Sequence, residues 1–252
     1  MRVLSLFSGG GLGDYGLELA GMQIVGQVEI DDYCQKILKL RWPDVPKWRD
    51  IRDVRGSEAL EKCGAVELIS GGFPCQPFSF AGNRKGKEDN RYLWPEMFRV
   101  ISEVKPTYVI GENVFGIIRT ALDEVLSNLE SIGYTSQSFV IPACAVDAPH
   151  RRDRVWIVGY SNCFRRWKKT ESRLDLESNS LDNWKREKSS NRSIQTSSET
   201  FKWWETEPGM GRVAHGVANR VDRLKLLGNG QVVQVVEWIG KQIMRFEKEK
   251  ML

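Results

Sequence analysis

Short apolar runs alternate with stretches of helical spacing along the first 160 residues, and that rhythm admits few folds. Val3–Phe7 is an apolar run stopped by Ser8-Gly9-Gly10-Gly11, after which Asp14–Ala20 reads as a helix. Ile24–Glu29 reads as a second strand and Asp32–Leu40 as a second helix. Val66–Ile69 and Tyr108–Ile110 are further buried strands, and Tyr134–Ile141 and Val155–Tyr160 complete the set. Pro95–Val104 and Arg119–Ile132 read as helices, the second with Leu122, Val125, Leu126 and Leu129 on one face. Repeated β-then-α units predict an α/β fold with a mostly parallel sheet covered by helices on both faces. A ligand is then expected beyond the carboxyl ends of the strands.

The pattern breaks at Ser161. Residues 161–212 hold nine serines, and only 12 of the 52 are apolar, too few to build a core alone. Eleven lysines and arginines there face eight acidic residues, and four tryptophans (Trp167, Trp184, Trp203, Trp204) are interleaved. Apolar periodicity returns in Gly228–Phe246, where Val232, Val235, Val236, Ile239, Ile243 and Phe246 share a helical face. The expected organisation is a main domain over 1–160, a small inserted region over 161–212, and a segment over 213–252 that rejoins the main domain. No apolar run reaches the ~20 residues of a membrane span, and the N-terminus is not a signal peptide. Five cysteines without paired spacing argue against zinc or a disulfide framework, so a reducing, cytoplasmic setting is expected and no metal. A net charge of +4 is a weak pointer to a polyanionic partner.

Residues 71–79 read GGFPCQPFS. Pro74 and Pro77 restrict the backbone on either side of Cys75, and Gly71 and Gly72 permit close approach. A thiol on such a stiff corner is suited to add to an electron-poor carbon, given help with its ionisation. The following loop to Asn90 is glycine-rich and basic, as a lid over a phosphate backbone would be. Gly11-Leu12-Gly13-Asp14-Tyr15-Gly16 follows the first strand and Glu29 ends the second, the arrangement that cradles a nucleotide cofactor and takes its ribose hydroxyls. Spacing alone leaves a nicotinamide cofactor and S-adenosylmethionine both open. Asp50-Ile51 suits an adenine amino contact beside an apolar wall. Glu112, at the end of a buried strand, is expected to have a raised pKa and to share or donate a proton. In His150-Arg151-Arg152-Asp153-Arg154, Arg154 enters a buried strand and calls for an anionic or carbonyl partner.

Taken in order, these segments resemble the cytosine-C5 DNA methyltransferases of bacterial or phage type. The resemblance rests on FSGGGLG (7–13), Glu29-Ile30-Asp31, GGFPCQPFS (71–79), Asp89-Asn90-Arg91, ENV (112–114), RRDR (151–154) and Leu227-Gly228-Asn229, and it omits only 161–212. It implies a Rossmann-like S-adenosylmethionine-dependent methyltransferase fold with a small inserted target-recognition region. The implied partner is double-stranded DNA, bound by a monomer, with a flipped-out cytosine as substrate. Cys75 would add to C6 of that base while Glu112 serves N3, Arg154 would hold O2, and Arg152 would support the site. Phe7, Gly9, Gly11, Glu29, Ile30, Asp50, Ile51 and Asn229 are the matching cofactor positions.

The chain departs from the family pattern in three places. His150 replaces the usual glutamine, Gly230-Gln231-Val232-Val233 replaces a small residue followed by Val and Pro, and 161–212 is short and poorly apolar. A tRNA cytosine methyltransferase of the same superfamily is the rival with the same chemistry. Those enzymes carry Pro-Pro-Cys and Cys-Phe-Thr, whereas here Phe73 precedes Pro74 and the Cys-Phe pair runs on to Arg165. A non-catalytic DNA-binding relative is the rival of another class, and the presence of Cys75, Glu112, Arg154 and Glu29 together disfavours it.

Overall fold

A computed structural model describes residues 1–74, 92–162 and 220–250. Cys75, the basic loop after it and the 163–219 stretch lie outside the described residues. The chain runs β1 (Arg2–Leu6), α1 (Leu12–Leu19), β2 (Gln23–Val28), α2 (Asp32–Arg41), β3 (Lys47–Trp48), α3 (Gly56–Cys63) and β4 (Leu68–Gly71). It continues with α4 (Trp94–Val104), β5 (Tyr108–Val114), α5 (Leu122–Ser131), β6 (Tyr134–Pro142), β7 (Asp153–Ser161), α6 (Arg220–Asn229) and α7 (Val233–Lys250).

The seven strands form one sheet in the order β3-β2-β1-β4-β5-β7-β6. Strands β1 to β5 pair in parallel, and β7 runs antiparallel between β5 and β6. The α/β expectation holds. The sheet is mostly parallel, with β7 the antiparallel strand, a direction that a period-2 apolar pattern does not record.

Side-chain alternation sorts the core into two layers. Leu4, Leu6, Ile69, Val109, Val155 and Ile157 face α3, α4 and α5, while Val3, Leu68, Tyr108, Ile110 and Trp156 face α1, α2 and α7. Burial on both sides explains why these strands are apolar runs rather than alternating ones. Residues 220–250 form two helices, and α7 packs its Val235, Val236, Ile239 and Ile243 into the second layer. Helix α7 lies so close to α1 that a Cβ on Gly16 would sit 2.7 Å from the Val233 carbonyl, and one on Gly240 would sit 2.7 Å from the Ala20 Cβ. Local chemistry sets helix starts: the Asp31 carboxylate accepts from the N–H groups of Tyr33 and Cys34 to cap α2, and Pro95 sits in the first turn of α4.

The chain leaves β1 toward β2 and β3 on one side and occupies β4 and β5 on the other. The switch point therefore falls between the carboxyl ends of β1 and β4, where a crevice is expected.

Candidate active site

A cleft opens at that switch point, lined by Ser5 to Gly9, Gly13, Asp14, Ser70 to Gly72, and Asn229 to Gln231. Its first wall is the turn after β1. Phe7 and Gly9 both have positive φ, 55° each, a conformation a phenylalanine rarely adopts. The turn is fixed from β2: Ser8 N–H donates to the Val28 carbonyl at 2.9 Å, and Gly9 N–H donates to Glu29 Oε2 at 2.7 Å. The other Glu29 oxygen accepts from Asp31 N–H at 2.7 Å. Charge-assisted bonds of this kind are roughly twice as strong as neutral ones, so Glu29 ties the end of β2 to the glycine turn. Ile30 beside it is 62% exposed, an open apolar surface of the kind an adenine ring could stack on.

Of the eight expected cofactor positions, Phe7, Gly9 and Asn229 line the cleft directly, and Glu29 reaches it through Gly9. Gly11 serves packing, since a Cβ there would lie 2.4 Å from the Trp42 ring. Asp50 accepts from Arg52 N–H and pairs with its guanidinium at 3.3 Å, and Ile51 is buried in the α3–α5 layer.

The second half of the site is built by the β5–β7 pairing. Glu112 stands opposite Trp156 and Val114 opposite Arg154, so Glu112 and Arg154 are diagonal neighbours on one face, within reach of a long side chain. Arg154 Nε lies 2.9 Å from Glu112 Oε1, the anionic partner that its position in a buried strand demanded. Burial pushes the Glu112 carboxyl up to about 7, against the opposing pull of Arg154 and Arg152. A carboxyl so placed is close to half protonated at neutral pH and can donate a proton as well as accept one.

The strand end leading to Cys75 lies over this acid. A Cβ on Gly72 would sit 2.9 Å from Glu112 Oε2, so glycine lets the strand end pass this close without displacing the acid. Asn113 Nδ2 donates to the Phe73 carbonyl at 3.0 Å, and the buried Phe73 ring packs on Trp94 with centroids 5.1 Å apart. The backbone two residues before Cys75 is thereby fixed to β5. Cys75 itself lies outside the described residues.

Arg152 closes the back of the cleft. Its guanidinium donates to the carbonyls of Gly228 at 2.7 Å and Gly230 at 2.8 Å, clamping the break between α6 and α7. Above it, α6 crosses the glycine turn: a Cβ on Gly10 would meet the Leu226 side chain at 2.5 Å, and Lys225 pairs with Asp31 at 2.7 Å.

Two features of the cleft escaped the sequence reading. Gln231 reaches into it, its Oε1 lying 2.0 Å from where a Cβ on Gly13 would be. Asp14 is buried beneath the glycine turn, accepting from Ser5 Oγ at 2.5 Å and Gln27 Nε2 at 2.6 Å. Desolvation pushes its carboxyl up to about 6. The signal for Asp14 was available: it sits in the first turn of α1 on the same side as the buried Leu17, three residues on. Among the described residues no cluster of three His, Cys, Asp or Glu could hold a metal, and no helix is long and apolar enough to cross a membrane.

The cleft and the acid pocket meet at Gly72, where one holds a nucleotide-type carboxylate and glycine turn and the other a proton donor. The family model for C-5 cytosine-specific DNA methylase matches residues 1–212. Type II methyltransferase M.HgiCII of Herpetosiphon aurantiacus is 32% identical over 163 residues, covering 63% of this chain and 37% of that protein. Type II methyltransferase M.PspPI of Psychrobacter sp. is 37% identical over 164 residues, covering 62% and 39%. The chain thus spans about two fifths of the length of these curated relatives. Among solved structures, the S. pombe Dnmt2 methyltransferase superposes with a TM-score of 0.56 at 26% identity, covering 69% of this chain and 54% of that one.

Proposed function

Since the chain belongs to the C-5 cytosine-specific DNA methylase family, we propose that it methylates C5 of cytosine in double-stranded DNA. The observation that carries this reading is the buried Glu112–Arg154 pair directly beneath the glycine that leads into Cys75. S-adenosylmethionine fits the other half of the site. Glu29, whose oxygens already hold the turn, stands where a ribose diol would bind, Ile30 offers an exposed apolar face, and Phe7, Gly9 and Asn229 line the rest. When bound, that donor supplies an electrophilic methyl group on a sulfonium sulfur.

The chain's own residues prepare the base. Cytosine is buried in the duplex stack and must be rotated out to reach the pocket, which costs a few kcal/mol. Cys75 Sγ forms a bond to C6, and the C5–C6 π electrons move toward the ring nitrogen. Glu112 gives its proton to N3, which makes C5 an enamine-like nucleophile. Arg154 holds the Glu112 carboxyl and is suited to hold O2 of the base, while Arg152 keeps the Gly228–Gly230 wall in place. Once C5 carries the methyl group, N3 returns its proton to Glu112, and loss of the C5 proton to water expels the Cys75 thiolate from C6 and restores the aromatic ring. A free thiol at its ordinary pKa is only about 3% ionised at pH 7, so Glu112's proton is needed while sulfur adds.

Residues 161–212 are the proposed target-recognition region, and the protein is proposed to act as a monomer on DNA. Phe73 at the first position of the corner favours DNA over tRNA as substrate.

A duplex containing 5-fluorocytosine tests the reading. With S-adenosylmethionine present, the native chain should become covalently trapped, and Cys75→Ser should not. Methyl transfer to tRNA alone, or no trapped species, would overturn the proposal.

A further inference from the structure

We propose that the buried Asp14 carboxylate is the counter-charge for the cationic end of the methyl donor, an inference that rests on the donor site assigned above. Among the described residues that line the cleft, Asp14 is the one with an ionisable side chain; the others are Ser, Gly, Leu, Phe, Asn and Gln. With Glu29 bonded to the turn at Gly9, the described charge at the cleft is acidic.

Asp14 is 2% exposed, and among the described residues no lysine or arginine forms an ion pair with it. Its two oxygens are held by neutral donors, Ser5 Oγ and Gln27 Nε2. Ser8 Oγ donates to Ser5 Oγ at 2.9 Å, so a chain of hydroxyls runs from the glycine turn to the carboxylate. Gln27 points its amide N–H at Asp14 while its own Oε1 is buried with no partner among the described residues. That sacrifice of a hydrogen bond makes sense for a site built around an anion. The charged groups whose fields reach Asp14 are Glu18 on α1 and Glu29 after β2, which oppose its charge, and Lys47 on β3, which favours it. Lys47 Nζ is itself engaged by the Trp42 and Val45 carbonyls.

A carboxylate buried without a cation is costly unless one arrives. A donor bearing a sulfonium and an α-ammonium brings the missing positive charge. Before it arrives, burial pushes Asp14 up to about 6, so in acid the proton takes the place the donor would fill. Donor binding should then displace that proton, and affinity should fall as pH drops below about 6, by about tenfold between pH 8 and pH 5.

Calorimetric titration of the full chain with S-adenosylmethionine and S-adenosylhomocysteine from pH 5 to pH 8 tests this. It is done in a Glu112→Gln background, so that Glu112 does not add its own titration. Asp14→Asn is the partner variant; its amide can keep both hydrogen bonds if Gln27 turns over, and a circular-dichroism melt checks that it folds. The parent should lose about tenfold in donor affinity toward pH 5. Asp14→Asn should bind about tenfold more weakly at pH 8 and lose that part of the pH dependence. If both ligands share the effect, Asp14 faces the α-ammonium; if only S-adenosylmethionine shows it, Asp14 faces the sulfonium. Unchanged donor affinity and pH slope in Asp14→Asn would overturn the inference. Should Asp14→Asn fail to fold, a flat pH profile in the parent would overturn it equally. Binding of neither ligand by the native chain would defeat the donor-site reading itself, and this inference with it.

Discussion

The Glu112 carboxyl offers a direct measure of whether the acid pocket is as dry as its geometry implies. Burial lifts it from its ordinary 4.5 to about 7. Between those values the native protein holds a proton that the unfolded chain has released. Native stability is therefore fully supported by this group below about pH 4.5 and declines as pH rises through about 7. The slope is at most about 1.4 kcal/mol per pH unit, and over this window the loss amounts to ~3 kcal/mol. That is a large share of the roughly 5–15 kcal/mol that holds a domain together. Glu112→Gln removes the titration while leaving an amide oxygen for Arg154 to donate to. Urea unfolding of both proteins at pH 5 and pH 8, followed by far-ultraviolet circular dichroism, gives the comparison. Asp14 titrates in both and drops out of the difference. The native chain should lose ~3 kcal/mol relative to Glu112→Gln on going to pH 8. Parallel pH curves would mean that Arg154 keeps Glu112 ionised throughout, and the case for Glu112 as proton donor to N3 would fall.

Two further outcomes bear on the cleft walls. Gly13→Ala would set a methyl 2.0 Å from Gln231 Oε1, the far end of a side chain that can turn away, and should cost no more than about 1 kcal/mol; adding Gln231→Ala should recover most of that, as read from a double-mutant cycle of melts. Arg152→Met leaves the Gly228 and Gly230 carbonyls without their donor and should cost about 2–3 kcal/mol, with Arg152→Lys restoring part; unchanged denaturation midpoints would show that the clamp is not structural.

The strand-and-helix rhythm up to residue 160 was readable because each element carries its own period. Most boundaries shifted by a residue or two, as at β4, which runs to Gly71 rather than ending at Ile69; β5 runs four residues past Ile110, to Val114. The reading Arg119–Ile132 as one helix missed a break: Phe115–Arg119 forms a 3-10 turn and α5 begins at Leu122. The short β3 and α3 were missed because two residues, or a mixed eight-residue stretch, carry too little periodicity to register. Gly228–Phe246 read as continuous, but α6 stops at Asn229 and α7 starts at Val233. Gly228-Asn229-Gly230 is a local helix stop, and the Arg152 clamp, from 76 residues earlier in the chain, holds the backbone at that break.

Residue types alone identified a thiol, an acid, a guanidinium pair and a glycine turn, because each chemistry is written in a short stretch that sequence displays whole. Their relations are not local. Which arginine meets Glu112 follows from the antiparallel register of β7 on β5, and how tightly that acid and Asp14 hold their protons follows from the layers packed around them. Burial and charge pairing are properties of chain segments far apart in sequence, so folding in three dimensions had to decide them.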